Sequence, residues 1–237
     1  MSSKSENEAR EQRILDVAAN LIIHYGYDKT TVSDIANAAG VSKGTIYLHF
    51  EGKDELFEAL LFREMWRYSE AWLGAVEADP QGGTLGGVYK NVLYGLNRNP
   101  FMAAIFKRDL RILGNYLHKP NNIFRSLEAY SMRAEFVQAM QEAGAVRQDV
   151  DPMIVAHIID MLGFGMVTIA DFKAPAQMPP FDAVIETIAA MMDRAFTPEG
   201  GGNSEAGKIV IRRMMRAVRE RFDLMQKPQP EAVTESG

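Results

Sequence analysis

Between Ala38 and Phe50 the chain reads AAGVSKGTIYLHF. It sets Ser42, Lys43, Thr45, Tyr47 and His49 around a glycine, Gly44, with Lys53 shortly after. The hydroxyl, phenol and imidazole groups are donors of the kind that contact phosphate oxygens and base edges. Lys43 and Lys53 each fall at about the first residue of a helix, where the macrodipole disfavours a cation. Both placements become favourable if a phosphate binds there, held by backbone amides and an ammonium together. Gly44 lies in the first turn of a helix, where glycine costs about 1 kcal/mol against alanine. That loss makes sense if something large must approach the backbone. Other chemistries lack residues. His24, His49, His118 and His157 show no metal spacing such as H-E-x-x-H, and GGTLGG lacks the Gly-Lys-Ser/Thr ending of a phosphate loop. No nucleophile motif appears, and the absence of cysteine excludes disulfides and thiolate metal sites. No enzyme activity, metal or cofactor is expected.

The elements that must position these residues follow from caps and periodicity. Ser5 and Glu8 form a capping-box pattern that opens a helix running to Tyr25, with Ile14, Val17, Ala18, Leu21, Ile22 and Tyr25 on one face and Gly26 as its stop. Thr31, with Asp34 three residues on, caps a short helix over Val32–Ala39, ended by Gly40. Ser42 caps a second short helix through His49. Gly52 precedes a long helix carrying Leu56, Leu60, Met65 (or Phe62) and Trp66. Two short helices joined through a glycine make a helix-turn-helix. Ile35, Val41 and Ile46 close its small core, Ala36 sits where the second helix crosses, and Gly40 takes a positive φ. Caps, turn and core alone would also fit a helical hairpin that binds nothing. The lysines and Gly44 favour nucleic acid.

The segment from Ile14 to Leu61, and above all TTVSDIANAAGVSKGTIYLHFEGKDEL, resembles the N-terminal domain of TetR-family transcriptional regulators. The resemblance covers about the first 60 of 237 residues. It implies an all-α chain: a three-helix helix-turn-helix domain followed by a larger helical ligand-binding and dimerisation domain. It implies that Thr31 contacts phosphate, that Ser42, Lys43, Gly44 and Thr45 form the tip of the recognition helix in the major groove, that Tyr47 and His49 contact phosphate and sugar, and that Lys53 binds phosphate. Leu48 departs from the pattern, standing where a second aromatic residue often follows Tyr47. The implied function is a ligand-responsive repressor that binds a palindromic double-stranded DNA operator as a homodimer and is released by a small, largely apolar effector. An architectural DNA-binding protein, or a regulator without an effector, is the alternative.

Charge shapes that expectation. The net charge is −5, and residues 1–55 carry six lysines and arginines against nine acids. A chain of that balance is a poor nonspecific binder of polyanions. A few placed lysines and helix N-termini, doubled by dimerisation, must do the phosphate work. The predicted organisation is a DNA-binding domain over residues 1–51, a ligand-binding and dimerisation domain over 52–200, and a basic amphipathic helix and tail over 201–237.

Met153–Ala170 is apolar almost all round and reads as a buried helix, not a membrane span, because His157 and Asp160 interrupt it. With Phe181–Phe196 it is the pair that the resemblance assigns to a four-helix dimer interface. Gly163 and Gly165 would allow close helix approach. The aromatic and methionine-rich stretch from Leu85 to Met140 is the expected effector pocket, with Tyr94, Phe106, Tyr130 and Phe136 as candidate lining. His157 and Asp160, one turn apart, are a candidate recognition pair, or an interface pair. In the last segment Ile211, Met215, Val218, Phe222 and Met225 form an apolar seam, with Lys208, Arg212, Arg213, Arg216, Arg219 and Arg221 as a basic outer face. Packing on the chain's own body is the plainer reading of that helix. The polar N-terminus MSSKSENEAREQR shows no signal peptide, so a cytoplasmic location is expected.

Overall fold

Several helix starts fall where capping side chains put them. Thr31 starts α2 (Val32–Ala39) with a complete capping box: its side chain accepts from the Asp34 backbone N–H while the Asp34 carboxylate accepts from the Thr31 N–H. Gly40 ends that helix at φ 66°, a left-handed conformation cheap only for glycine. Ser42 caps α3 (Lys43–Tyr47) by accepting from the Thr45 N–H at 3.1 Å. Thr84, Asn99 and Asp151 cap α5 (Leu85–Asn97), α6 (Pro100–Lys107) and α9 (Pro152–Thr168) in the same way.

This computed structural model describes residues 2–120, 122 and 132–225, and among the described residues every regular element is helical. The remaining helices are α1 (Ser2–Tyr25), α4 (Lys53–Ala78), α7 (Leu110–Leu113), α8 (Met132–Glu142), α10 (Phe181–Phe196) and α11 (Ser204–Met225), with a 3-10 turn over Gly114–His118. Helix α1 begins at Ser2, so the Ser5–Glu8 pattern lies inside the helix and does not open it. Helix α3 stops at Tyr47, two residues short of the expected end, because the backbone turns at Leu48 toward buried Phe50.

Helices α1, α2 and α3 form the headpiece. Ile14, Ala18 and Ile22 of α1, Ile35 and Ala36 of α2, and Ile46 of α3 meet in its interior, where burial of each large aliphatic chain contributes about 1.5–3 kcal/mol. Helix α4 leaves this cluster through Leu56, Phe57, Leu60 and Leu61 and continues into the larger helical body, so one apolar core runs through both parts. In that body α5 packs between α4 and α10, while α9 lies against α5, α6 and α8.

Helix α11 turns back along α4. Arg212 pairs with Glu77 at 2.8 Å near the far end of α4, and the Arg219 guanidinium lies 4.5 Å from the Trp66 ring centroid, closer to the headpiece. Ile211 is buried and Met215 and Val218 are half-buried, as the seam predicts; the side chains of Arg221, Phe222 and Met225 lie outside the described residues. Lys208 does not belong to the outer face. It is 4% exposed, and its ammonium donates to Glu205 at 3.0 Å. Arg212, Arg213, Arg216 and Arg219 are exposed.

The apolar helix α9 departs from the buried helix that its composition predicts. Only Val155, Ala156 and Gly163 are buried, whereas Met153, Ile154, Met161 and Phe164 face outward. Among the described residues its neighbours cover one side only, and hydrophobic chains on the other side stay exposed. By length and composition alone, residues 152–171 would also suffice to cross a membrane.

Candidate nucleic-acid interface

The tip of α3 projects from the headpiece on the side opposite its core residue, Ile46. Ser42, Lys43 and Gly44 are exposed and Thr45 is half-exposed. The Ser42 and Thr45 hydroxyls lie 2.9 Å apart, which fixes both rotamers against the first turn. A Cβ at Gly44 would meet only the Ser42 Oγ, at 3.6 Å. The chain therefore gives no internal reason for glycine there, and the space beyond it is open. At this helix start the Thr45 N–H is taken by Ser42, and the Lys43 and Gly44 N–H groups ahead of it sit at an exposed surface that can hold an anion.

Tyr47 is 55% exposed and continues this surface. Leu48, beside it, is 86% exposed, an apolar group with no cover from its own chain. Sequence reasoning noted Leu48 only as a departure. Its position makes it a contact candidate too, since an exposed leucine there would meet a thymine methyl or a sugar.

Three expected phosphate contacts are engaged within the protein. The Thr31 hydroxyl donates to the Asp34 carboxylate at 2.7 Å while accepting from the Asp34 N–H. Thr31 and its own N–H hold the Asp34 carboxyl below the usual carboxylate range. The His49 side chain is only 5% exposed, with Nδ1 3.4 Å from Glu11 of α1. As placed, His49 braces the end of α3 against α1 and does not present a free donor. The Lys53 ammonium lies 4.0 Å from the Tyr27 ring centroid, and burial depresses its pKa against the opposing pull of Asp28 and Asp54. Spacing could not reveal these partners, because Glu11, Tyr27 and Asp28 belong to α1 and the turn after it.

Of the candidate effector residues, Tyr94, Phe106 and Phe136 have partners within the chain. The Tyr94 hydroxyl donates to Glu186 of α10 at 3.1 Å, and its ring faces Phe181. Phe106 packs beside Gly163, 3.7 Å from where a Cβ would sit. Phe136 is half-buried against the core. His157 is exposed on α9 and Asp160 half-buried, so the two face different surroundings. Tyr130 lies outside the described residues. A Cβ at Gly165 would meet nothing within 4 Å among the described residues, so it serves no close helix approach there. Sequence reasoning passed over Tyr89 of α5 as one aromatic among many. It is buried, its hydroxyl has no hydrogen-bond partner among the described residues, and burial pushes its pKa up to about 12. Helix phase set by packing, which composition does not carry, singles it out.

Known proteins place this geometry. Residues 14–60 match the family model described as bacterial regulatory proteins, tetR family. Over 83 residues the chain is 42% identical to the HTH-type transcriptional regulator AcrR of Shigella flexneri, a match that spans 34% of this chain and 36% of that regulator. It is 28% identical over 165 residues to the HTH-type transcriptional repressor Rv1474c of Mycobacterium tuberculosis, covering 70% of this chain and 84% of the repressor. Among solved structures, the transcriptional regulator FadR of Bacillus subtilis in complex with stearoyl-CoA superposes with a TM-score of 0.57 at 22% identity, over 76% of this chain and 96% of that one. At that identity the likeness concerns the fold.

Proposed function

The chain belongs to the TetR family of bacterial transcriptional regulators, and we propose that it is a ligand-responsive repressor that holds a palindromic DNA operator as a homodimer. The observation that carries the DNA-binding reading is the tip of α3. Gly44 faces open space with nothing of its own chain to accommodate, flanked by exposed Lys43, Ser42 and Thr45. In this reading the tip enters the major groove, the α3 N–H groups and Lys43 meet a phosphate, and Tyr47 and Leu48 lie on the adjacent backbone. Lys53 supplies a second phosphate contact from the start of α4. Thr31 and His49 hold the headpiece in shape, and Thr31 reaches phosphate only by sharing its hydroxyl with Asp34.

Dimerisation uses the uncovered face of α9, with Met153, Ile154, Met161 and Phe164, together with the exposed side of α10 around Met191. A patch of this kind rarely stays open on a soluble monomer. A second copy covers it and sets the two headpieces about one helical turn of DNA apart or somewhat more. Residues 1–51 then act as the DNA-binding unit, 52–200 as the sensing and dimerising unit, and 201–225 as a brace along α4. The effector is a small, largely apolar molecule held among α4 to α9, where the Tyr89 hydroxyl, without a partner among the described residues, is suited to its polar end. The relation to a fold that holds stearoyl-CoA in a Bacillus subtilis regulator supports that class. Binding acts only as far as the effector prefers one spacing of the headpieces over the other. A cytoplasmic location follows from this role.

Footprinting on a selected duplex tests the proposal. One short palindromic footprint, lost on adding an acyl thioester or another small apolar ligand, is the expected result. Extended coating of the DNA with no preferred site would favour an architectural protein and contradict it.

A further inference from the structure

The phosphate contact proposed for Lys53 sits inside a four-charge cluster that joins the headpiece to the larger domain. Asp28 and Asp54 provide two carboxylates, Lys53 and Lys119 two ammoniums. Lys119 comes from the segment that follows α7, far along the chain. Its ammonium pairs with Asp54 and lies 3.3 Å from the Tyr27 hydroxyl, which itself donates to Asp54. Lys53 stacks on the same Tyr27 ring. Asp28 accepts the Asn115 N–H at 3.0 Å, and the Tyr27 N–H donates to the Ile112 carbonyl at 2.7 Å. At Gly114, φ is 49° and a Cβ would lie 2.4 Å from an Asp28 oxygen, so this segment seats against the α1–α2 turn with no room for a side chain. The Tyr27, Phe57 and Tyr116 rings pack together beneath it.

This arrangement gives residues 112–119 direct control over charge at the DNA-facing start of α4. With Lys119 in place the cluster is balanced, and Lys53 is held by a ring rather than by a committed ion pair. With Lys119 withdrawn, two carboxylates face one ammonium. They draw Lys53 inward and add a net negative charge beside the phosphate it would meet. We propose that Lys119 is a positioning residue for operator binding: it neutralises Asp54, keeps Lys53 available to phosphate, and by its displacement carries a change in the larger domain to the DNA contact. The proposal rests on the reading that Lys53 binds phosphate. It requires no contact between Lys119 and DNA.

The test uses the full chain and a palindromic duplex selected by the unmodified protein. Lys119→Met keeps the length of the side chain and removes its charge. Affinity is expected to fall about threefold per headpiece, hence about tenfold for a dimer at low salt, and less as salt rises. Adding Asp54→Asn should restore affinity to within about threefold of the unmodified chain, because the uncompensated charge is then gone. An unchanged melting temperature in Lys119→Met separates this role from a merely structural one, and an unchanged salt slope of binding separates it from a direct phosphate contact. Wild-type affinity for Lys119→Met, or a loss that Asp54→Asn leaves in place, would overturn the proposal. If Lys119→Met does not fold, Asp54→Asn alone carries the test: tighter binding is expected, and unchanged or weaker binding overturns the inference. Failure of the unmodified chain to bind any duplex would instead remove the DNA-binding reading, and this inference with it.

Discussion

Two surfaces of this molecule are left unfinished, and they are unfinished in different ways. The tip of α3 is small and polar, built from hydroxyls, a lysine and a glycine whose Cβ position is empty. The outer side of α9 is broad and apolar, with two methionines, an isoleucine and a phenylalanine turned outward. The first fits an anionic ligand whose backbone must come close, where a few directed donors set specificity. The second fits another apolar surface, where area decides. Cationic groups are scarce in the headpiece, so the weak polar surface needs doubling. In the proposed dimer the apolar surface is what doubles it.

Each side of that comparison can be broken separately. Ile46→Asp puts a charge in the fully buried centre of the headpiece and should cost about 4 kcal/mol or more, abolishing its folding while the larger domain keeps its helices. Denaturation followed by circular dichroism checks this. Gly44→Ala should do the opposite. The open Cβ position and the helical gain of about 1 kcal/mol predict an equal or higher melting temperature, with operator affinity down about a hundredfold. Parallel loss of stability and binding would mean that the glycine serves the fold. Phe164→Glu should leave the monomer folded and weaken dimerisation by about 2 kcal/mol, read by sedimentation at several concentrations. Unchanged association would remove α9 from the interface.

The smaller effects concern the cap. Thr31→Ala should cost about 1 kcal/mol of headpiece stability. Because the Asp34 carboxyl has its pKa depressed in the folded state by Thr31, its contribution is present above the ordinary carboxylate range and is lost as pH falls through its folded-state value. The headpiece should therefore weaken in acid. Thr31→Ala should flatten that part of the pH profile, measured as melting temperature against pH.

Local chemistry was legible in the sequence. Thr31, Ser42 and Gly40 sit at their caps and turn, and Ile35, Ala36 and Ile46 are buried as their spacing requires. These features depend on residues within one or two turns of each other. What was not legible depends on partners distant in the chain. His49 turns in toward Glu11, Lys53 stacks on Tyr27, Lys208 is buried beside Glu77, and α9 is covered on one side only. Apolar residues all round α9 read as burial, but composition does not say which molecule provides the cover. The partners of the candidate effector residues, such as Glu186 for Tyr94 and Gly163 for Phe106, were hidden for the same reason. An aromatic-rich stretch fixes no helix phase, whereas Tyr89 is marked out by packing alone.

The central claim is that paired α3 tips read a short symmetric DNA site. Selection of bound duplexes from a random pool by the full chain tests it most directly. Enrichment of one palindrome, with half-sites about one helical turn apart or somewhat more, is the predicted result. A pool that stays random, or that yields only unpaired half-sites, would contradict it.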